Sequence, residues 1–177
     1  MTRLIKILFI LTGLVLVNHG ELSAQTSNPV SATGHIFAEI IPIFTASEKS
    51  QLNFGRFSPG YQGGEIILSP ESTVSVLGSV YEGTGSHNAA SFSVTGDADA
   101  TFSITLPSAP VVLTHSSEAK TMLVDDWVSI PSRGIGSGVL QNGFQTVYVG
   151  ATLKVGTLYD NPVGIYTGSY TITFDFY

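Results

Sequence analysis

Apolar and polar residues alternate along this chain in short runs, and the alternation is cleanest at two places. From Thr146 to Val155 the residues Val147, Val149, Ala151, Leu153 and Val155 interleave with Thr146, Tyr148, Gly150, Thr152 and Lys154. In the last twelve residues, YTGSYTITFDFY, the residues Tyr170, Ile172, Phe174 and Phe176 interleave with Ser169, Thr171, Thr173 and Asp175. A period of two predicts strands with one dry face and one wet face. Ile172, Phe174 and Phe176 are therefore expected inward, and Thr171, Thr173 and Asp175 outward.

Shorter extended runs occur at 31–44, 64–68, 73–80, 91–94, 101–106, 111–113 and 122–130. Ser69-Pro70-Glu71 is expected to turn between two of them, and Gly96-Asp97-Ala98-Asp99 reads as a hairpin-like tip. The glycine-rich stretch GIGSGVLQNG at 134–143 reads as a long, mobile connection. No segment sustains a 3.6-residue apolar period, so almost no helix is expected. Many short strands between turn signals indicate an all-β protein. Uneven runs and loops favour a sandwich over a barrel.

The N-terminus changes the compartment. Arg3 and Lys6 precede the apolar run Ile7 to Val17, and small residues follow around Ala24. This is the layout of a signal peptide, expected over 1–24. The run is short for a membrane span of about 20 residues, so no transmembrane segment is expected in the mature form. Residues 25–177 are expected to form one exported domain. Within it, 25–41 stands out: a polar leader precedes Ile36, Ala38 and Ile40, which share one face. Read from its residues the segment is an extended apolar run that suits the domain's own first strand, its register blurred near Pro42.

After such a cut, five Lys/Arg remain against twelve Asp/Glu. That balance offers no electrostatic footprint for nucleic acid or an anionic membrane. The absence of cysteine rules out a disulfide-stapled scaffold, so stability has to come from a buried core.

Candidate chemistry is sparse. Ser86, His87 and Asp97, or His115 with Asp125, could be assembled into a hydrolytic set on paper, but no nucleophile elbow accompanies them. Asp97 and Asp99 resemble half of a calcium loop without its remaining ligands, and are read as a turn whose carboxylates cap backbone amides. Asp125-Asp126 beside Trp127 reads as a solvated turn next to a core tryptophan. Neither catalysis, a metal nor a cofactor is expected. Tyr61, Tyr81, Trp127 and Tyr159 sit in or near turns and could stack on sugar rings, although such rings also build sandwich cores.

Four ordered stretches carry a resemblance: 52–73 (LNFGRFSPGYQGGEIILSPEST), 92–127, VYVGATLKVG at 147–156, and the C-terminal GIYTGSYTITFDFY. They resemble a bacterial family of exported domains catalogued as domain of unknown function 4402. Ala151 in VGATL stands where the family more often has glycine. The resemblance implies a pilin-like or spore-coat-U-like sandwich of immunoglobulin type without enzymatic activity. It also implies assembly by strand addition, in which a donor segment, here 25–41 as the alternative to an own first strand, fills an open edge beside the neighbour's C-terminal strand. Partners would be further copies or related subunits, with a periplasmic chaperone and usher. The sequence-based reading is thus a non-enzymatic structural subunit of a cell-surface filament or coat, joined through Ile36, Ala38 and Ile40 on one side and Tyr170, Ile172, Phe174 and Phe176 on the other. The alternative is a monomeric secreted domain that binds glycans.

Overall fold

A computed structural model describes residues 29–41 and 43–177. The signal-peptide assignment and the break or bulge at Pro42 lie outside the described residues. The chain divides into a unit of 1–39 and a unit of 40–177. In the first, residues 29–39 carry no regular secondary structure, and Ile36 and Phe37 are almost fully exposed.

The second unit is built of eleven strands, and no helix occurs among the described residues: β1 (Thr45–Ser50), β2 (Phe57–Leu68), β3 (Val74–Glu82), β4 (Ala90–Thr95), β5 (Thr101–Thr105), β6 (Val111–His115), β7 (Thr121–Ile130), β8 (Gly134–Val139), β9 (Phe144–Val155), β10 (Tyr166–Thr167) and β11 (Thr173–Phe176). The larger sheet has eight strands and is centred on β9. One edge of β9 pairs with β4 through its first half and with β2 through its second half; the other edge pairs with β7. Beyond β7 lie β6 and the two-residue β10, beyond β4 lies β1, and β3 is attached through β2. The smaller sheet has three strands in the order β11-β5-β8.

The two sheets enclose one apolar core, so the protein is a β-sandwich. The inward-facing residues of β9, Val147, Val149, Ala151, Leu153 and Val155, are buried (Val147 and Val149 at 0%). Phe102 of β5, also at 0%, meets the rings of Phe174 and Phe176 at centroid distances of 5.8 and 5.5 Å. The C-terminal alternation faces as the pattern predicts: Ile172, Phe174 and Phe176 pack against the core, whereas Thr171, Thr173 and Asp175 are exposed. They are only half-buried, unlike their counterparts on β9.

Several expectations need correction. The tip at 96–99 does not close a hairpin: β4 lies in the larger sheet and β5 in the smaller, so the tip carries the chain between layers. Its recorded bonds are made by the backbones of Asp97 and Asp99 rather than their carboxylates; the Asp99 amide, for example, donates to Leu140 O at 2.8 Å. The stretch at 134–143 is not a mobile connection, because 134–139 form β8, the edge strand beside β5. Glycine hides this strand by lacking an apolar side chain, and Gly138 is required, since a Cβ there would run into the Phe102 ring.

Asp125-Asp126 is not a turn either but a bulge inside β7, marked by a register shift between Asp125 and Val128 and a left-handed Asp126 at φ 48°. Met122 and Val124 point inward before it, Trp127 and Ser129 after it. The extra residue switches the inward parity and keeps the tryptophan in the core. The first strand, β1, has the sequence TASEKS, in which Ala46 is the one apolar residue and which no apolar pattern could reveal.

Candidate functional site

The most continuous alternation in the sequence does not yield a continuous strand. Between Tyr166 and Phe176, β10 takes two residues, β11 takes four, and 168–172 have no sheet partner. β10 pairs Tyr166 with His115 and Thr167 with Thr114 on the edge of β6. The chain then leaves that edge at Gly168, where a Cβ would sit 2.6 Å from Val112 O. It re-enters a sheet only at Thr173, opposite Thr105.

A cleft of about 1290 Å³ opens where the pairing fails. Its floor is the inner face of the larger sheet, with Met122, Val124 and Leu153. One wall is the segment from Glu48 to Pro59, which begins on β1, a strand whose single sheet neighbour is β4. The other is the segment from Leu158 to Tyr170, where Leu158, Val163 and Ile165 are exposed. The floor residues are themselves only 1–5% exposed, whereas Leu158, Val163 and Ile165 on the rim stand open to water.

The walls are held by polar clamps. The side-chain oxygen of Asn53 accepts the Gly55 amide at 2.9 Å, and the Asn53 and Asn88 backbones exchange two hydrogen bonds of 2.9 Å. On the opposite wall, His115 is buried and its Nδ1 accepts the amides of Ser117 (3.1 Å) and Glu118 (2.9 Å). With Nδ1 used as an acceptor, Nε2 carries the hydrogen and donates to Val163 O at 3.3 Å. Both ring nitrogens are thus committed to fixing loops. His87, the other histidine considered for catalysis, places Nδ1 3.5 Å from Glu82 Oε1. Among the described residues no group of three or more His, Cys, Asp or Glu is placed to hold a metal ion.

Two polar atoms at the inner end of the cleft lack partners. Trp127 Nε1 and Tyr170 Oη are both buried and unbonded, on rings whose centroids are 4.6 Å apart. Burial raises the Tyr170 hydroxyl well above the ordinary tyrosine range, with Glu48 adding to the effect. A buried donor without an acceptor costs roughly 1–3 kcal/mol.

The residues singled out from the sequence are distributed as follows. Tyr170 lines the cleft, and Ile172 follows it in the unpaired stretch. Phe174 and Phe176 are seated in the chain's own core, Phe176 stacked on Phe44 at 4.0 Å. Ile36 and Ile40 are 99% and 97% exposed, Ala38 is exposed, and no strand is assigned to residues 29–41. Of the four rings considered for sugar stacking only Trp127 lines the cleft, and it is 5% exposed. Tyr61 protrudes from the β2 irregularity between Pro59 and Gly63, Tyr81 lies on β3, and Tyr159 carries the Lys120 ammonium 4.7 Å from its ring centroid. Apart from Tyr170, sequence reasoning named no residue of the two cleft walls. The one available signal was the glycine at 168 inside an otherwise perfect strand pattern.

These features define a two-sheet, all-β domain with a cleft along one side. The chain belongs to the family described as domain of unknown function (DUF4402), which matches residues 44–176, from just before β1 to the last residue of β11. No curated protein and no solved structure matches the chain.

Proposed function

We propose that this protein is an exported structural subunit of a bacterial surface filament or coat, joined to its neighbours by strand addition. The observation that carries this reading is the segment immediately before the family domain. Ile36, Phe37, Ile40, Ile41 and Ile43 are 72–99% exposed, the densest cluster of exposed large apolar residues in the described chain. A large apolar side chain gains about 1.5–3 kcal/mol on full burial, so such a segment has a strong incentive to find a groove. Its alternation suits a strand, and a free sheet edge supplies the backbone partners. The pilin-like character implied by the sequence resemblance agrees with this mode, as would a chaperone that covers the segment or its groove before assembly.

The test is a charge substitution at exposed positions. Ile36→Asp with Ile40→Asp leaves the domain's buried contacts untouched, so the melting temperature should not move. Oligomers of the mature chain, visible as a ladder in SDS gels without boiling, should disappear. A wild-type chain that stays monomeric at every concentration removes the reading.

A further inference from the structure

We infer that the bulge in β7 holds a binding site for a neutral saccharide, built by Asp125 and Trp127 together with Arg133 from the loop that follows the strand. The site is independent of the assembly reading above, and a subunit carries it whether or not it polymerises.

Trp127, which borders the large cleft, also borders a second cavity of about 480 Å³ between the β5–β6 loop and the β7 bulge. That volume falls within the ~300–1,000 Å³ of small-molecule pockets. The residues on either side of the left-handed Asp126 each bring a polar atom whose hydrogen-bonding capacity is unused. Asp125 Oδ1 is a buried acceptor without a hydrogen bond, and the Lys154 ammonium 3.4 Å away is an ion-pair neighbour only. Trp127 Nε1 is a buried donor without an acceptor, on a residue that is 5% exposed. Buried polar groups are almost always bonded, so an unpaired donor and an unpaired acceptor two positions apart call for a partner. The bulge accounts for the pair, because an extra residue re-aims side chains away from their ladder positions, and bulges recur beside functional sites.

The rest of the lining narrows the class of ligand. Pro107, Pro110 and Val128 offer apolar surface. Asp126 and Arg133 are exposed at the cavity, and Arg133 makes no ion pair among the described residues. A hydrocarbon would leave both the donor and the acceptor unpaired. An anion would meet Asp125 and Asp126, and a cation would meet Arg133. A neutral sugar suits all of these groups at once, since each hydroxyl both gives and accepts hydrogen bonds while the C–H faces of the ring are apolar. Trp127 contributes its N–H rather than a stacking face, which its burial rules out. A hydroxyl that reaches the two buried atoms requires a small outward shift of the rim, where Ser108, Ala109 and Pro110 are exposed.

Trp127 is the sole tryptophan, so the mature chain reports on the site directly. The probes are glucose, galactose, mannose, N-acetylglucosamine, maltose, lactose and chitobiose, followed by tryptophan emission and by saturation-transfer NMR on the sugar protons. At least one of these neutral sugars should give a saturable emission change together with a transfer signal. Arg133→Ala, at an exposed position, and Asp125→Asn should each weaken that affinity about ten-fold or more, the loss expected for one hydrogen bond to a charged group. Tyr61→Ala and Tyr159→Ala should leave it unchanged. Silence in both measurements for every sugar overturns the inference. Binding that survives Arg133→Ala and Asp125→Asn combined overturns it too, as does binding lost with Tyr61→Ala or Tyr159→Ala, which would put the sugar on the exposed turns. Binding of glucuronate alone, added as an acidic control, would make the ligand an anion and overturn it as well. None of these outcomes bears on assembly, which the gel ladder of the Ile36→Asp, Ile40→Asp variant reads separately.

Discussion

β9 and the C-terminal segment have almost the same sequence pattern and very different fates. In β9 the inward-facing residues from Val147 to Val155 are 0–5% exposed, and both edges of the strand are hydrogen-bonded. In the C-terminal segment the apolar face is half-buried, and pairing stops between Thr167 and Thr173. Alternation specifies which face of a strand is dry. It does not specify whether a second strand will be present on each edge, because that depends on residues far away in sequence. β9 finds three partners within its own chain, whereas 168–172 finds none.

The largest contrast is expected from a buried charge. Val149→Asp would place a carboxylate at a site with no solvent and no cation, a cost of several kcal/mol against a typical stability of about 5–15 kcal/mol. Soluble, cooperatively melting protein should be lost. The same change at Ile172 sits at the half-open end, where a carboxylate can reach water, and the monomer should survive it. Equal damage at both positions would mean the C-terminal segment is as closed as β9.

Truncations grade the same comparison. Phe102→Ala removes a ring with no exposure and should cost about 3–5 kcal/mol in denaturant unfolding. Phe174→Ala removes a half-buried ring, and about 2 kcal/mol is expected. Thr173→Ala, on the wet face, should cost under ~0.5 kcal/mol. If Thr173→Ala matched Phe174→Ala, the assignment of faces would be wrong.

Fold class and facing were legible in the sequence because both follow from local periodicity. The inward residues of β9 and of 172–176 could be named from the pattern alone, and the β2–β3 turn from Ser69-Pro70-Glu71. What could not be read depends on partners rather than on period. β1 is polar apart from Ala46 and becomes a strand because β4 offers it an edge, with Thr45 opposite Thr95. β8 is half glycine and becomes one because Phe102 needs the space above Gly138. The cleft was invisible for the same reason, being an absence of pairing between segments more than a hundred residues apart.

A smaller effect is expected from the ion cluster that ties β9 to its neighbours. Lys154 Nζ lies 2.8 Å from Glu65 of β2 and 3.4 and 3.3 Å from Asp125 and Asp126 of β7. The Glu65 hydrogen bond raises the lysine above its ordinary range against the opposing effect of desolvation, and both aspartates help. A raised lysine stabilises the fold fully below its unfolded value near pH 10.4, and that contribution fades as pH climbs through the folded value. A third of this side chain is exposed, so Lys154→Ala should cost only about 1 kcal/mol at neutral pH, and the difference from wild type should shrink with added salt and above about pH 11. A salt-independent loss would point to packing of the lysine stem rather than to the ions.

The smallest effect on the monomer is expected where the open end leaves a polar atom stranded. Tyr170→Phe removes a hydroxyl without a partner and keeps the ring that contacts Trp127 and Phe92 at centroid distances of 4.6 and 6.3 Å. Losing an unbonded buried hydroxyl is neutral or mildly stabilising, so a change within ~0.5 kcal/mol is expected near pH 7. The sign of the pH dependence follows from the raised folded value. Below the unfolded value near pH 10 both states hold the proton; above it the unfolded chain ionises first, and the native state loses ground. Tyr170→Phe should therefore soften the alkaline fall in stability and leave neutral pH unchanged. A variant that destabilises the monomer by more than ~1 kcal/mol would show that the hydroxyl already has an acceptor inside the domain, and that this end of the cleft is closed.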